Sequence, residues 1–312
     1  MSDQVLTVTL NPSVDKTISI EKFVPFGLNR VVDSRMDPGG KGINVARVLR
    51  NFGVSVTATG LIAGSQGKLL LSHLVQNEIP ADFYEIGGET RTNIKIRDLS
   101  NNKTTEINEK GFQVTEENLN GFREKYRHLI RDSAVVVLSG SIPPGVPPGF
   151  YGECIQTAKS SGKKVILDAE GEAFREGLRA VPFAVKPNLH ELELAVGRTL
   201  ETRSEVVGVV KDILAEGVET VIVSMGPKGA IVADQKEIYQ VDSWNVEVKG
   251  ATGAGDSMVG ALAYSMLNSS SLLDIAKITT AAGTITVSKE GTQICGFQEV
   301  MRSLDYVHVL KI

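Results

Sequence analysis

Apolar positions recur along this chain in two patterns. Short runs rich in valine, isoleucine and leucine, at Val5 to Leu10, Ser55 to Leu61, Ala134 to Leu138, Lys164 to Leu167 and Thr220 to Ser224, have the length of buried strands. Between them lie segments of helical period: Gly42 to Phe52, Gly67 to Asn77, Glu116 to Leu129, Pro148 to Ser161, Leu189 to Val196, Glu205 to Glu216, Asp256 to Leu267 and Leu272 to Ser288. In the first of these, Val45, Val48, Leu49 and Phe52 fall three or four apart while Arg47, Arg50 and Asn51 take the other side, which predicts a helix packed on a sheet. Strand followed by helix, repeated, predicts α/β architecture with a mostly parallel sheet. Two stretches break the rhythm. Thr17 to Asp33 and Thr90 to Asn108 read as consecutive extended strands, with Thr92, Ile94 and Ile96 alternating against Lys95 and Arg97, and predict a small antiparallel β flap. With no linker, low-complexity tract or internal repeat, the pattern predicts a single domain over residues 1–312 that carries this flap at about 17–33 and 90–108.

Composition narrows the partners. Hydrophobic residues make up 42% and charged residues 22% of the 312, a balance that predicts an ordinary globular protein. A formal net charge of -4 gives no general attraction to nucleic acid or to an anionic membrane, so an anionic ligand must be held by locally placed cations. The two cysteines, Cys154 and Cys295, are far apart, and the four histidines stand alone, so a reduced, cytoplasmic protein without structural zinc is expected. The segment Met1 to Val8 lacks a basic start followed by an apolar stretch, and no run approaches the roughly 20 apolar residues of a membrane span, so neither export nor insertion is expected.

Chemistry concentrates in a few glycine-containing segments. Lys249-Gly250-Ala251-Thr252-Gly253-Ala254-Gly255-Asp256 runs into an apolar helix, whose first free amides would face the loop and form an anion hole. Asp256 then has two readings, a helix cap or a base beside a phosphate. The helix dipole predicts a weak base there, adequate for phosphoryl transfer, in which the acceptor hydroxyl gives up its proton late. Asp37-Pro38-Gly39-Gly40-Lys41-Gly42-Ile43-Asn44 is not a Walker A loop, because no Ser or Thr follows Lys41; its glycines are suited to a sugar lying on the backbone, or to a plain loop-to-helix turn. Asn11-Pro12-Ser13-Val14-Asp15 follows the first strand, where open parallel sheets bind ligands, but its residue types favour a surface turn. Lys186-Pro187-Asn188-Leu189-His190-Glu191 suits nucleotide phosphates and a Mg²⁺ ion held through water by Glu191, and equally an Asn188 cap with Glu191 reaching back to it. Ser224 to Ala230 reads as a glycine turn beside a nucleotide or as a hairpin, Arg91 as a phosphate clamp or an exposed strand arginine, and Ser139-Gly140-Ser141 stays open between substrate contact and loop.

In their order, Asn11 to Asp15, Gly39 to Asn44, Lys186-Pro187-Asn188 with Glu191, and Thr252 to Asp256 resemble the ribokinase-like carbohydrate kinases of the phosphofructokinase B type, over essentially the whole chain. Within that family the resemblance is strongest to 1-phosphofructokinases and tagatose-6-phosphate kinases. It implies a three-layer α/β/α ribokinase-like fold with a mostly parallel sheet and a small β-sheet lid that often helps form a homodimer. It also implies ATP and Mg²⁺ as cofactors and a small phosphosugar as substrate. Carried over, Asp256 corresponds to the catalytic base, with Gly253, Ala254 and Gly255 as the anion hole. Asp15, Gly40, Lys41, Asn44, Arg91 and Ser139 fall on the phosphosugar side. Lys186, Asn188, Ser224, Gly226, Gly229 and Thr252 fall by ATP, and Glu191 by the metal.

There are departures from the pattern. Asp168-Ala169-Glu170-Gly171 places a carboxylate where relatives usually have serine, and Gly27-Leu28-Asn29-Arg30 lacks the lysine of fructose-6-phosphate users. That absence, with Lys41 among the glycines, argues against fructose 6-phosphate and towards a substrate such as fructose 1-phosphate or tagatose 6-phosphate; phosphorylation of fructose 1-phosphate is the expectation, with tagatose 6-phosphate as the nearest alternative. A catalytically silent sugar-phosphate-binding regulator is the alternative of another class. A dinucleotide-dependent dehydrogenase is disfavoured, since no Gly-x-Gly-x-x-Gly follows the first strand.

Overall fold

The computed structural model describes residues 4–312; Met1, Ser2 and Asp3, which begin the segment read for an export signal, lie outside the described residues. A ten-stranded sheet runs in the order β14 (His308–Lys311), β13 (Ile238–Asp242), β12 (Ala230–Asp234), β11 (Thr220–Ser224), β10 (Ala184–Val185), β9 (Lys164–Asp168), β8 (Val135–Ser139), β1 (Val5–Thr9), β4 (Val56–Ala63) and β5 (Tyr84–Ile86). From β5 to β11 the pairings are parallel, and β12, β13 and β14 close the edge antiparallel.

Both faces of the sheet are covered, which is why its central strands read as continuous apolar runs. Val5, Val135, Val137, Ile166 and Ile222 point into one core, with α1 (Lys41–Asn51), α2 (Gly64–Gln76), α8 (Ala254–Leu267), α9 (Leu272–Val287) and α10 (Phe297–Arg302). Their neighbours Leu6, Val136, Leu138, Val165, Leu167 and Val221 point into the other, with α3 (Glu116–Leu129), α4 (Phe150–Ser160), α5 (Gly171–Arg179), α6 (Leu189–Val196) and α7 (Arg203–Ala215). The result is the expected three-layer α/β/α ribokinase-like fold. Three of the helices begin with a reciprocal cap, Thr115 with Asn118, Asn188 with Glu191 and Thr202 with Glu205. Among the described residues no helix is long and apolar enough to cross a membrane.

The lid is a separate four-stranded sheet, ordered β3 (Asp33–Gly39), β2 (Ser13–Ile20), β6 (Arg91–Asp98) and β7 (Lys103–Asn108). It corrects the sequence reading in three ways. The first lid segment is not a strand pair over 17–33: its strands are Ser13–Ile20 and Asp33–Gly39, joined by turns and irregular chain at 21–32. Apolar Val24, Phe26, Leu28, Val31 and Val32 in that connection are exposed, and their alternation imitates a strand without a core to face. The sheet is not wholly antiparallel, since its central pair, β2 and β6, runs parallel across a connection that passes through the main body. Finally, Asn11 to Asp15 is no surface turn. All five residues are buried and the chain passes there straight into β2, because β1 must lead directly from the main sheet to the lid.

Candidate active site

The parallel strands β1, β8, β9, β10 and β11 end at one edge of the sheet, where ligands bind in open α/β folds, and the predicted segments converge there. Gly253 caps α8 with a left-handed backbone, φ +83°, which suits glycine, and no side chain bonds to the helix start. The first-turn amides of α8 thus meet the loop without a side-chain cap and make a positive pole.

Asp256 is the third residue of α8, not its cap, and its buried carboxylate makes no capping bond to the helix start. Oδ2 accepts a 2.7 Å hydrogen bond from Asn44 Nδ2 on α1. The weak base expected from the helix dipole is also corrected. Burial, reinforced by the nearby charge of Asp168, raises the Asp256 pKa to about 6 against the opposing pull of Asn44, Lys41 and Lys186. Desolvation outweighs the dipole because the group is enclosed, whereas dipole effects are worth about 1 kcal/mol at exposed helix ends.

Around this carboxylate lie two more acids and two lysines. Lys41 Nζ lies 3.0 Å from Glu191 Oε1 and 3.8 Å from Asp168 Oδ1, and Lys186 Nζ lies 3.4 Å from the same Asp168 oxygen. Lys186 also stands over the helix start: a Cβ on Gly255 would come within 3.4 Å of its ammonium. Burial opposes the charge of Asp168, yet Lys41, Lys186 and a 2.8 Å hydrogen bond donated by Ser139 Oγ hold its pKa below the usual aspartate value. Lys41 is held above its ordinary value because Asp168, Glu191 and Asp256 together outweigh its desolvation. Lys41 is thus bonded to the acid cluster and Ser139, fully buried, to Asp168.

On the lid side, Asp15 accepts from Ser13 Oγ at 2.8 Å, Asn93 Nδ2 at 3.1 Å and Lys95 Nζ at 2.9 Å. The glycines around the start of α1 serve packing first: a Cβ on Gly39 would lie 2.5 Å from Asp15 Oδ1, and one on Gly42 2.5 Å from Thr9 Oγ1. Gly40 sits between them as the cap of α1. Arg91 is half-buried, not the exposed strand arginine of the commoner reading; Nη1 donates to Glu109 O and Nη2 to Asn11 O, each at 3.1 Å. Glu170, in the place of the expected serine, stands before α5 without capping it and adds its charge to the surroundings of Arg91.

On the opposite side, the capping reading of the Lys186 segment holds. Glu191 N donates to Asn188 Oδ1 at 2.8 Å, Asn188 N donates to Glu191 Oε2 at 2.9 Å, and Glu191 keeps its other oxygen on Lys41. Ser224 bridges to Asn188 at the end of β11, and Gly226 and Gly229, both at positive φ, turn the chain into the antiparallel β12. Thr252 lies half-buried in the loop before α8. Asp168 and Lys95 were not singled out as site residues from sequence. Asp168 ends a buried strand at the ligand edge, the same signal that marked Asn11 to Asp15, whereas nothing in the lid pattern distinguishes Lys95 from its neighbours.

The arrangement can hold an anion at the α8 start, flank it with two cations, and accept a proton on a buried carboxylate. Residues 8–299 match the family model for pfkB family carbohydrate kinases. Phosphofructokinase-2 from Escherichia coli in complex with potassium is 30% identical over 98% of this chain and 99% of its own, with a TM-score of 0.93. The tetrameric inhibited form of the same enzyme gives 30%, 98%, 99% and 0.91. A protein described as a possible 1-phosphofructokinase from Thermotoga maritima gives 31% identity over 99% of both chains and a TM-score of 0.91. The chain therefore belongs to the pfkB family of carbohydrate kinases and is a phosphofructokinase-like sugar kinase.

Proposed function

We propose that the chain transfers the γ-phosphoryl group of ATP to the C6 hydroxyl of fructose 1-phosphate, giving fructose 1,6-bisphosphate and ADP. The observation that carries this reading is the buried Asp256 carboxylate, held by Asn44 beside an uncapped helix start and faced by Lys41 and Lys186. The sugar lies between lid and body, against Asp15, Gly40, Asn44 and Arg91. ATP lies along Lys186, Asn188, Thr252 and the Ser224 to Gly229 turn. Its γ-phosphate sits on the backbone of Gly253, Ala254 and Gly255.

Asp256 orients the acceptor hydroxyl and takes its proton as the new P–O bond forms. Its raised pKa leaves it mostly ionised at neutral pH and a better proton acceptor than an ordinary aspartate. Lys41, between Glu191 and the base, neutralises charge on the phosphoryl group in flight, and most of the acceleration comes from such positioning and charge. Ser139 acts on the substrate side through Asp168, whose carboxylate it holds.

Mg²⁺ fits the pair Asp168 and Glu191. Both offer hard oxygens, and Asp168 Oδ1 is buried with two ammonium groups near it but no hydrogen bond. Among the described residues no group of three or more acids, histidines or cysteines forms a cage, so the ion would take most of its ligands from ATP and water. When bound, it would supply positive charge to the phosphates of ATP.

The missing lysine at Gly27 to Arg30 supports fructose 1-phosphate over fructose 6-phosphate. Exposed Phe26, Leu28, Val31, Val32, Met36 and Ile107 on the lid form an apolar surface suited to pairing two copies into a homodimer. Initial rates of ADP release with fructose 1-phosphate, tagatose 6-phosphate, fructose 6-phosphate and unphosphorylated sugars test the reading. Fructose 1-phosphate should give the highest kcat/KM. Preference for tagatose 6-phosphate would reassign the substrate, and no turnover with any of them would leave a silent binding protein.

A further inference from the structure

Arg47 is one turn beyond Asn44 on α1 and faces neither core: α1 buries Val45, Val48 and Leu49, while the Arg47 side chain lies half-buried along the site. Its Nη1 donates to Asn44 Oδ1 at 3.2 Å, and Nδ2 of the same amide donates to Asp256 Oδ2 at 2.7 Å. These two bonds fix which way the amide faces. A guanidinium can only donate and an ionised carboxylate can only accept, so the amide oxygen belongs on Arg47 and the nitrogen on Asp256. Turning the amide over would set its N–H groups against the guanidinium and its oxygen against the carboxylate, losing both bonds.

We propose that Arg47 is a positioning residue for the phosphoryl transfer: by locking the Asn44 amide, it holds the Asp256 carboxylate where the acceptor hydroxyl must meet it. An amide nitrogen carries two hydrogens. With one on Asp256, the other is presented to the sugar, so a single lock sets base and acceptor relative to each other. Burial, helped by the nearby Arg35, pulls the Arg47 pKa below its ordinary value, while Asp37 on lid strand β3 and Asp256 act the other way and favour its charge. Asp37 in turn accepts from Arg35 Nε at 2.7 Å. Arg47 thus stands between the lid and the base, and a variant that keeps its stem but not its donors separates the lock from mere packing.

The inference rests on Asp256 being the base, and its test separates the two claims. Steady-state kcat and both KM values are measured for wild type, Arg47→Met, Asn44→Ala and the double variant, with Tm as a check on folding. Arg47→Met should lower kcat about tenfold with both KM values within about twofold, since misplacement acts on the chemical step. In the Asn44→Ala background the same change should cost less than about twofold, because the two residues act as one unit. Arg47→Lys, which keeps charge and a donor, should recover at least about a third of the lost rate and serves where Arg47→Met does not fold. Full kcat in Arg47→Met, or an undiminished tenfold loss in the Asn44→Ala background, would overturn the inference while the kinase reading stands. A wild-type protein that phosphorylates no sugar phosphate would overturn the kinase reading and this inference with it.

Discussion

The main sheet and the lid are built on opposite terms. Every residue of β8 is buried, whereas every residue of β7 is exposed, and the apolar Phe26, Leu28, Val31 and Val32 of the connection between β2 and β3 are exposed. The contrast extends to the two acids that face the site. Asp15, on the lid, accepts from Ser13, Asn93 and Lys95, while Asp256, on the body, accepts from Asn44 and is pushed up to about 6 by burial and Asp168. A carboxylate saturated with donors is a fixture for binding. One that is buried and sparsely donated is ready to take a proton.

The largest effect that bears on this contrast concerns the lid fixture. Asp15→Asn leaves Lys95 buried beside no counter-charge and should destabilise the lid by about 3 kcal/mol. Hydrogen exchange of the β2 and β6 amides should accelerate while the main-sheet amides keep their protection. An equal loss across both sheets would show that lid and body open as one unit and would break the comparison.

On the body side, Lys41→Met leaves Asp168 and Glu191 without their shared cation and should lower kcat about a hundredfold. Steady-state rates check it, and an undiminished kcat would make Lys41 a structural counter-ion only.

A smaller effect separates the two acids by pH. The folded-state pKa of Asp256 lies above its ordinary 3.8, so the folded protein binds that proton more tightly than the unfolded chain. The stability contributed by the protonated form is present in full below about pH 4 and is lost as pH rises through about 6. Asp256→Asn should therefore gain about 2 kcal/mol relative to wild type between pH 4 and pH 8, read from denaturant midpoints. A gap that is constant with pH would contradict the raised pKa.

The smallest effect belongs to the lid's outer surface. Phe26→Ser should leave Tm within about 1 °C, since the side chain is exposed, and weaken self-association about tenfold in dilution experiments. A large fall in Tm would mean that the lid packs Phe26 against its own body.

The same contrast decides what the sequence made legible. The central strands could be read because burial on both faces writes itself as unbroken valine and leucine, as in Val135 to Leu138. The lid boundaries could not, since the apolar residues at 21–32 alternate without facing any core of this chain. The strands Tyr84–Ile86 and Ala184–Val185 are too short to carry a period, and α5, opening at Gly171, lacks a capping side chain. The glycine loop and Asp256 were visible as a local pattern. Asp256's partner was not, because Asn44 lies 212 positions away and only the packing of α1 on α8 joins them. The raised pKa of Asp256 is invisible in the sequence for the same reason: the helix dipole is a local property, and burial is not.

The central claim is that the Asp256 carboxylate accepts the proton of the sugar hydroxyl. Asp256→Asn keeps the shape and a partner for Asn44 while removing the base. With fructose 1-phosphate and Mg²⁺-ATP, its kcat should fall at least about a thousandfold while calorimetric ATP affinity stays within about threefold of wild type. Turnover near the wild-type rate in that variant would contradict the account.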